Sequence, residues 1–218
     1  MAMHSKDIST RRETYADFSI IAQDWLELSA TKGYSKAMVE MGKICKMKYK
    51  TSHGSPEEGY AILEKAIQWF SKAATVNEAE GSFELGWCEI EKRIKKNKVA
   101  DMEKMKMLCD EIMALFQNAL KYGCKKAYYG IGLLYNSNWV LDEADREQHA
   151  RQSFDCFMKA AESGEVDPYS HPYLHLGSFY QNGSSFVHQD IHRAKKFFSM
   201  GASLGDSACM LELDDYID

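Results

Sequence analysis

The sequence of 218 residues is short of several things that would point elsewhere. It has three prolines, Pro56, Pro168 and Pro172, so long helices can run without interruption. Stretches that alternate apolar and polar residues with β-branched enrichment are few, which leaves strands little support. No window approaches the roughly 18 consecutive apolar residues that a membrane span needs. The opening, MAMHSKDISTRRETYADF, lacks the apolar core of a secretory signal, and the expected location is the cytoplasm. The six cysteines, at 45, 88, 109, 124, 156 and 209, contain no C-x-x-C pair. All fall in segments read as helical, and reduced, buried thiols are expected rather than a disulfide framework.

Catalytic and metal signatures are equally sparse. Neither a G-x-S-x-G elbow nor a G-x-x-x-x-G-K-[ST] phosphate loop is present. A Cys-His or Ser-His-Asp nucleophile would need a convergence that the spacing does not show. His171 and His175 are four apart, as are His188 and His192, and such i, i+4 pairs can in principle hold a metal. In a helical hairpin the two pairs would lie on the order of 15 Å apart, and no H-E-x-x-H glutamate accompanies them. The expectation is surface histidines, with no metal and no cofactor. Net charge is −5, with both signs mixed along the chain, which opposes nucleic-acid binding because that requires a basic face. The one basic run, Lys92, Arg93, Lys95, Lys96 and Lys98, reads as a solvated connection between two helical segments.

What is abundant is self-similarity. The strings DWLELSATKGYSKAMVEMGKIC, QWFSKAATVNEAEGSFELGWCE, ALFQNALKYGCKKAYYGIGLLY, DCFMKAAESGEVDPYSHPYLHLGSFY and KFFSMGASLGDSACMLELDD share one plan. Anchored at Trp25, Trp69, Leu115, Cys156 and Phe197, they are spaced by 44, 46, 41 and 41 residues. Eight positions past the anchor stands Gly33, Gly123, Gly164 or Gly205, with Asn77 in the second unit. That slot suits the left-handed residue at which a helix ends and turns back, and asparagine also tolerates it. Seventeen positions past the anchor lie Gly42, Gly86 and Gly132, matched by Gly177 after an insertion around Asp167-Pro168. Glycine inside a helix costs about 1 kcal/mol against alanine, a cost offset if another helix approaches there. Each unit is therefore two antiparallel helices, its apolar face buried only by stacking on neighbours. The large anchor is expected to fill the gap between units.

The segments AIQWFSKAA (Ala66 to Ala74), AKKFFSMGASLGDSA (Ala194 to Ala208) and Leu176-Gly177-Ser178-Phe179-Tyr180 resemble Sel1-like repeats, relatives of the tetratricopeptide repeat. The resemblance covers roughly residues 20 to 216. It departs at the third anchor, which is not aromatic, at Cys156 in the fourth, and at Lys92 to Asp101, which lengthens the second unit. It implies an all-α fold, an α-solenoid of about ten helices in a right-handed superhelix. The expected layout is a flexible tail over 1–11 and a single repeat domain over 12–218. Helices are expected near 12–31, 35–49, 57–76, 78–97, 101–122, 125–136, 143–163, 170–182, 190–203 and 206–216. The first and last would act as caps with polar outer surfaces.

In the second helix of each unit, positions 12, 16 and 20 past the anchor should face the core. Positions 14 and 18 should then point away, toward the inner surface of the solenoid. There stand Val39 and Lys43, Phe83 and Trp87, Tyr129 and Leu133, and Leu174 and Ser178. A stripe of Phe83, Trp87, Tyr129, Leu133 and Leu174 is what a groove for a peptide or helix requires; in a tight superhelix the same residues could instead pack on adjacent helices. The expected function is non-catalytic binding of another protein or peptide, without nucleic acid or membrane. Proteins resembling Sel1-like arrays serve as adaptors, regulators, host-directed effectors and toxin-neutralising immunity proteins. Others are linked to β-lactam hydrolysis, but those are cysteine-rich and secreted. A hydrolase of that type and a self-associating structural subunit are the alternatives.

Overall fold

The computed structural model describes residues 20–52, 54–96, 102–137, 145–165 and 172–214, side chains excepted at 93–96 and 102. The expected tail over 1–11, the insertion around Asp167-Pro168 and His171 lie outside the described residues. Among the described residues the regular structure is ten helices and no strand. They are α1 (20–31), α2 (Ser35–Thr51), α3 (Pro56–Thr75), α4 (Ala79–Lys96) and α5 (Met102–Lys121). Then come α6 (Ala127–Asn136), α7 (Arg146–Ser163), α8 (Pro172–Asn182), α9 (Ile191–Ser203) and α10 (Ser207–Asp214). Lys92 to Lys96 lie at the end of α4, inside the helix expected over 78–97 and not in a connection after it, and Lys98 falls outside the described residues. Cys124, expected in a helix, lies in the turn before α6. The described residues form two compact units that divide after Cys88, inside α4.

The turns within repeats are built alike. Gly33, Asn77, Gly123, Gly164 and Gly205 all have positive φ, between 61° and 100°. At four of them the next residue's N–H reaches back to a carbonyl of the previous helix. Tyr34 N donates to Ser29 O (3.2 Å), Glu78 N to Ala73 O (3.1 Å), Cys124 N to Ala119 O (2.9 Å) and Asp206 N to Gly201 O (3.1 Å). This closes the last turn and satisfies carbonyls that the helix end would orphan.

In the first unit α2 packs on α3. Phe70, fully buried on α3, presses its ring on Gly42 of α2. A half-buried ion pair, Lys46 to Glu84 at 2.5 Å, and the more exposed Lys43 to Glu80 at 2.9 Å join α2 to α4. In the second unit α6 packs on α7 and α8 on α9. Phe157 lies over Gly132 and Phe198 over Gly177. The socket is therefore the glycine of one repeat's second helix, and the plug is a phenylalanine of the next repeat's first helix. The plug is one residue later than expected: Phe70, Phe157 and Phe198 are 0% exposed, as is the corresponding Phe116, which lies over Gly130 of its own repeat. The anchors before them, Trp69, Leu115, Cys156 and Phe197, are half-buried, and Trp25 is 66% exposed. A first helix lies between two second helices, and the residue on the bisecting line between them is the one fully enclosed. The first helix was expected to show a polar outside, yet α1 exposes Ile21, Trp25 and Leu28, at i, i+4 and i+7. Among the described residues no second helix precedes it to cover that stripe.

Equivalent glutamates also tie successive repeats together. Ser35 Oγ donates to Glu78 Oε2 at 2.7 Å, and Lys125 N donates to Glu165 Oε2 at 3.0 Å. In each case a residue ten past one anchor meets a glutamate nine past the next.

Candidate functional site

The second helices decide where a groove can lie. Positions 12 and 16 past the anchor are buried as expected: Ala37 and Met41 on α2, Ala127 and Ile131 on α6. Position 14, expected to point away from the core, is buried as well: Val39 is 2% exposed, Phe83 3% and Tyr129 6%. The reason is geometric. A second helix contacts the first helix of its own repeat and that of the next, so its apolar arc is wider than one stripe. On α6 that arc runs through Ala127, Tyr129, Gly130, Ile131, Gly132 and Leu134.

Trp87, Leu133 and Leu174 keep part of their surface open. In the first unit Phe83 meets Trp87 edge-on at 6.3 Å. In the second unit Tyr129 supports His175 of α8 at 6.1 Å, and His175 stacks flat on Phe157 at 4.4 Å and 5°. His175, expected at the surface, is thus packed between aromatic rings. His188 and His192 are exposed, the first in the α8–α9 loop and the second in the first turn of α9. Among the described residues no three His, Cys, Asp or Glu side chains gather as a metal site would require.

A cluster of aromatic rings forms between α7, α8 and the α8–α9 loop. Phe154 of α7 sits edge-on to three aromatic rings, Phe179 (5.4 Å), Tyr180 (5.9 Å) and Phe186 (6.0 Å). The loop carrying Phe186 is fastened at several points. Ser184 N donates to Val187 O (2.7 Å), Asp190 N to Tyr180 O (2.8 Å) and Gln189 Nε2 to Gln181 O (2.9 Å). Ser185 Oγ donates to Glu147 Oε1 at 2.6 Å. Asp190 caps α9 by accepting from Arg193 N at 3.0 Å, and its other oxygen meets Arg193 Nε at 3.3 Å. Two guanidinium groups lie over the cluster, Arg193 over Tyr180 at 5.5 Å and Arg151 over Phe186 at 5.1 Å. Between Phe154, Tyr180, Phe186 and Arg193 a cavity of about 380 Å³ remains, with His188 and Asp190 also on its wall. Only QNGSSFVHQD hints at it in the sequence, as an aromatic residue inside a polar connection; the partners come from three helices.

Four of the thiols are shifted by their surroundings, Cys45 upward through burial. Burial pushes Cys109 and Cys156 up to about 11. Burial and then the hydrogen bond to Asp206 push Cys209 up to about 12. All three stay protonated at neutral pH, whereas an attacking thiol needs its thiolate.

Helix pairs stacked through a phenylalanine-on-glycine joint define a helical-repeat protein of the α-solenoid class. The same fold occurs in a Sel1 repeat protein from Oxalobacter formigenes, with TM-score 0.61, 23% identity, and 87% of this chain covered. It occurs also in c5321, a protective antigen of uropathogenic Escherichia coli strains that displays an SLR fold, with TM-score 0.63, 19% identity and 88% coverage. The chain spans 64% of the first of these proteins and 35% of the second. At such identities the likeness is one of fold. No family model and no curated protein matches the sequence.

Proposed function

We propose that the chain is a non-catalytic scaffold that recognises another protein or peptide along the second helices of its repeats. The observation carrying this reading is that residues 18 past the anchor, Trp87 and Leu133, are apolar yet only half-buried, as is Leu174 at position 14 of its unit. Such residues hold apolar surface at the rim of a rigid core, where a partner's side chains can displace water. In the first unit the buried Phe83 meets Trp87 edge-on. The protonated thiols of Cys109, Cys156 and Cys209 favour binding over nucleophilic chemistry at those positions. The net charge of −5 favours a protein over a nucleic acid. Among the described residues no helix is long and apolar enough to cross a membrane. An adaptor, a regulator or a toxin-neutralising protein would all use such a surface.

The test is affinity capture from the source lysate with the wild type, a Trp87→Ala variant and a Leu133→Glu, Leu174→Glu variant. Helicity and melting temperature of each are checked first. The expected result is one stoichiometric partner, lost in at least one variant. A partner retained by both variants would remove this surface from consideration. A folded wild type that captures nothing would overturn the scaffold reading.

A further inference from the structure

We infer that the cavity between Phe154, Tyr180, Phe186 and Arg193 receives one apolar side chain, best an aromatic one, from an acidic peptide segment of the partner. This rests on the scaffold reading and adds the chemistry of what is recognised. At about 380 Å³ the cavity is near the lower end of the 300–1,000 Å³ typical of ligand sites, a size for a side chain rather than a cofactor. Phe154, Tyr180 and Phe186 form the aromatic part of its wall, so a planar or branched apolar group gains both burial and ring contacts there. The fastened loop keeps the cavity formed before anything binds, and binding then costs little ordering of the protein.

The charges around it set the sign of the partner. Arg193 and Arg151 lie over the rings of Tyr180 and Phe186. A guanidinium held that way still presents N–H donors at its edge, and its planar fork matches a carboxylate. Helix α9 adds His192, Lys195 and Lys196 and contains no Asp or Glu among its 13 residues. Two carboxylates stand at the site, Asp190, which pairs with Arg193 and caps α9, and Glu147, which accepts from Ser185; Arg151, Arg193, Lys195 and Lys196 outnumber them, so the face stays positive. The chain as a whole carries −5, so an acidic segment is repelled elsewhere and drawn to this face. The small cavity disfavours a polyphosphate, and a nucleobase held by arginine and aromatic rings is the competing occupant that the oligothymidylate arm tests.

The experiment uses fluorescein-labelled dodecapeptides and the full chain: a Glu/Asp-rich peptide with a central tryptophan, its alanine counterpart, and a Lys-rich peptide with the same tryptophan. Binding is read by fluorescence anisotropy. The acidic tryptophan peptide is expected to bind saturably, about tenfold tighter than either control and more weakly as salt is raised. Arg193→Glu and Phe186→Ala should each weaken it about tenfold, while Lys121→Glu, the same charge change at the end of α5, should leave it within about twofold. Arg193 is largely exposed, so that variant keeps its fold; Phe186→Ala is checked by its melt. The inference is overturned by no saturable binding, by equal binding of either control peptide, by equal loss in Lys121→Glu, or by displacement with oligothymidylate. If it fails while the capture experiment still yields a partner lost on Trp87 or Leu133/Leu174 substitution, the scaffold stands and only this cavity is excluded.

Discussion

Ser153 of α7 donates a 2.9 Å hydrogen bond to the carbonyl oxygen of Gly132 on α6, one turn before Phe157 closes over the same glycine. Both contacts need the two helix backbones to run close together, and both depend on the missing side chain. A Cβ on residue 132 would stand 2.7 Å from the ring of Phe157. Phe157 is 0% exposed and its ring is held between Tyr129 and His175. Alanine in a helix is worth about 1 kcal/mol over glycine, and overpacking costs about 1–3 kcal/mol. With so rigid a neighbour the clash outweighs the propensity gain. Gly132→Ala is expected to lower stability by about 1–2 kcal/mol in urea denaturation. A stabilised variant would mean that the joint is looser than drawn.

The displaced plug makes a sharper contrast. Phe70→Ala empties a fully enclosed site, and a loss of about 3–5 kcal/mol is expected. Trp25→Ala removes a ring that is 66% exposed, and its effect should stay within about 0.5 kcal/mol. Thermal melts of the two variants decide it. Equal losses would restore the tryptophan as the structural anchor.

The turns can be tested without any packing change. At Gly123, φ is 100° and an added Cβ would meet nothing within 4 Å. Gly123→Ala therefore measures the left-handed penalty alone, about 1–2 kcal/mol. At Asn77, φ is 61°, so Asn77→Gly should be close to neutral and Asn77→Ala should cost about 1 kcal/mol. If both Asn77 variants behave alike in denaturation, the left-handed conformation is not what selects asparagine there.

Cys209 links stability to pH. Its Sγ donates to Asp206 Oδ2 at 3.2 Å, while Asp206 Oδ1 caps α10 through Ala208 N (2.9 Å) and Cys209 N (3.3 Å). Burial, then this bond, raises the thiol from an ordinary 9.0 to about 12. Because the folded value lies above the unfolded one, the contribution is fully present below about pH 9 and is lost as pH rises toward 12. Wild type should lose more stability than Cys209→Ala between pH 8 and 11, as read from urea midpoints. Parallel losses would remove Cys209 from the account. The same protonation predicts slow alkylation of Cys209 at neutral pH.

Much of this molecule could be read from residue order. The five-fold plan, the helices and the left-handed turns at Gly33, Asn77, Gly123, Gly164 and Gly205 are local properties. Helical period, glycine's freedom and the scarcity of proline each act within a few residues. The helix glycines also announced close approach, though not what approaches them. Tertiary structure alone decided that the plug is Phe70, Phe157 or Phe198 rather than the aromatic before it. One residue is about 100° of helix rotation, and only the neighbouring helices say which direction is enclosed. They also widened the buried arc to take in Phe83 and Tyr129, leaving Trp87, Leu133 and Leu174 at the surface. The cluster around Phe154 and Phe186 was beyond reach for the same reason. Its rings and arginines come from α7, α8, α9 and a loop, and meet only because burial of each repeat on the next brings those elements together.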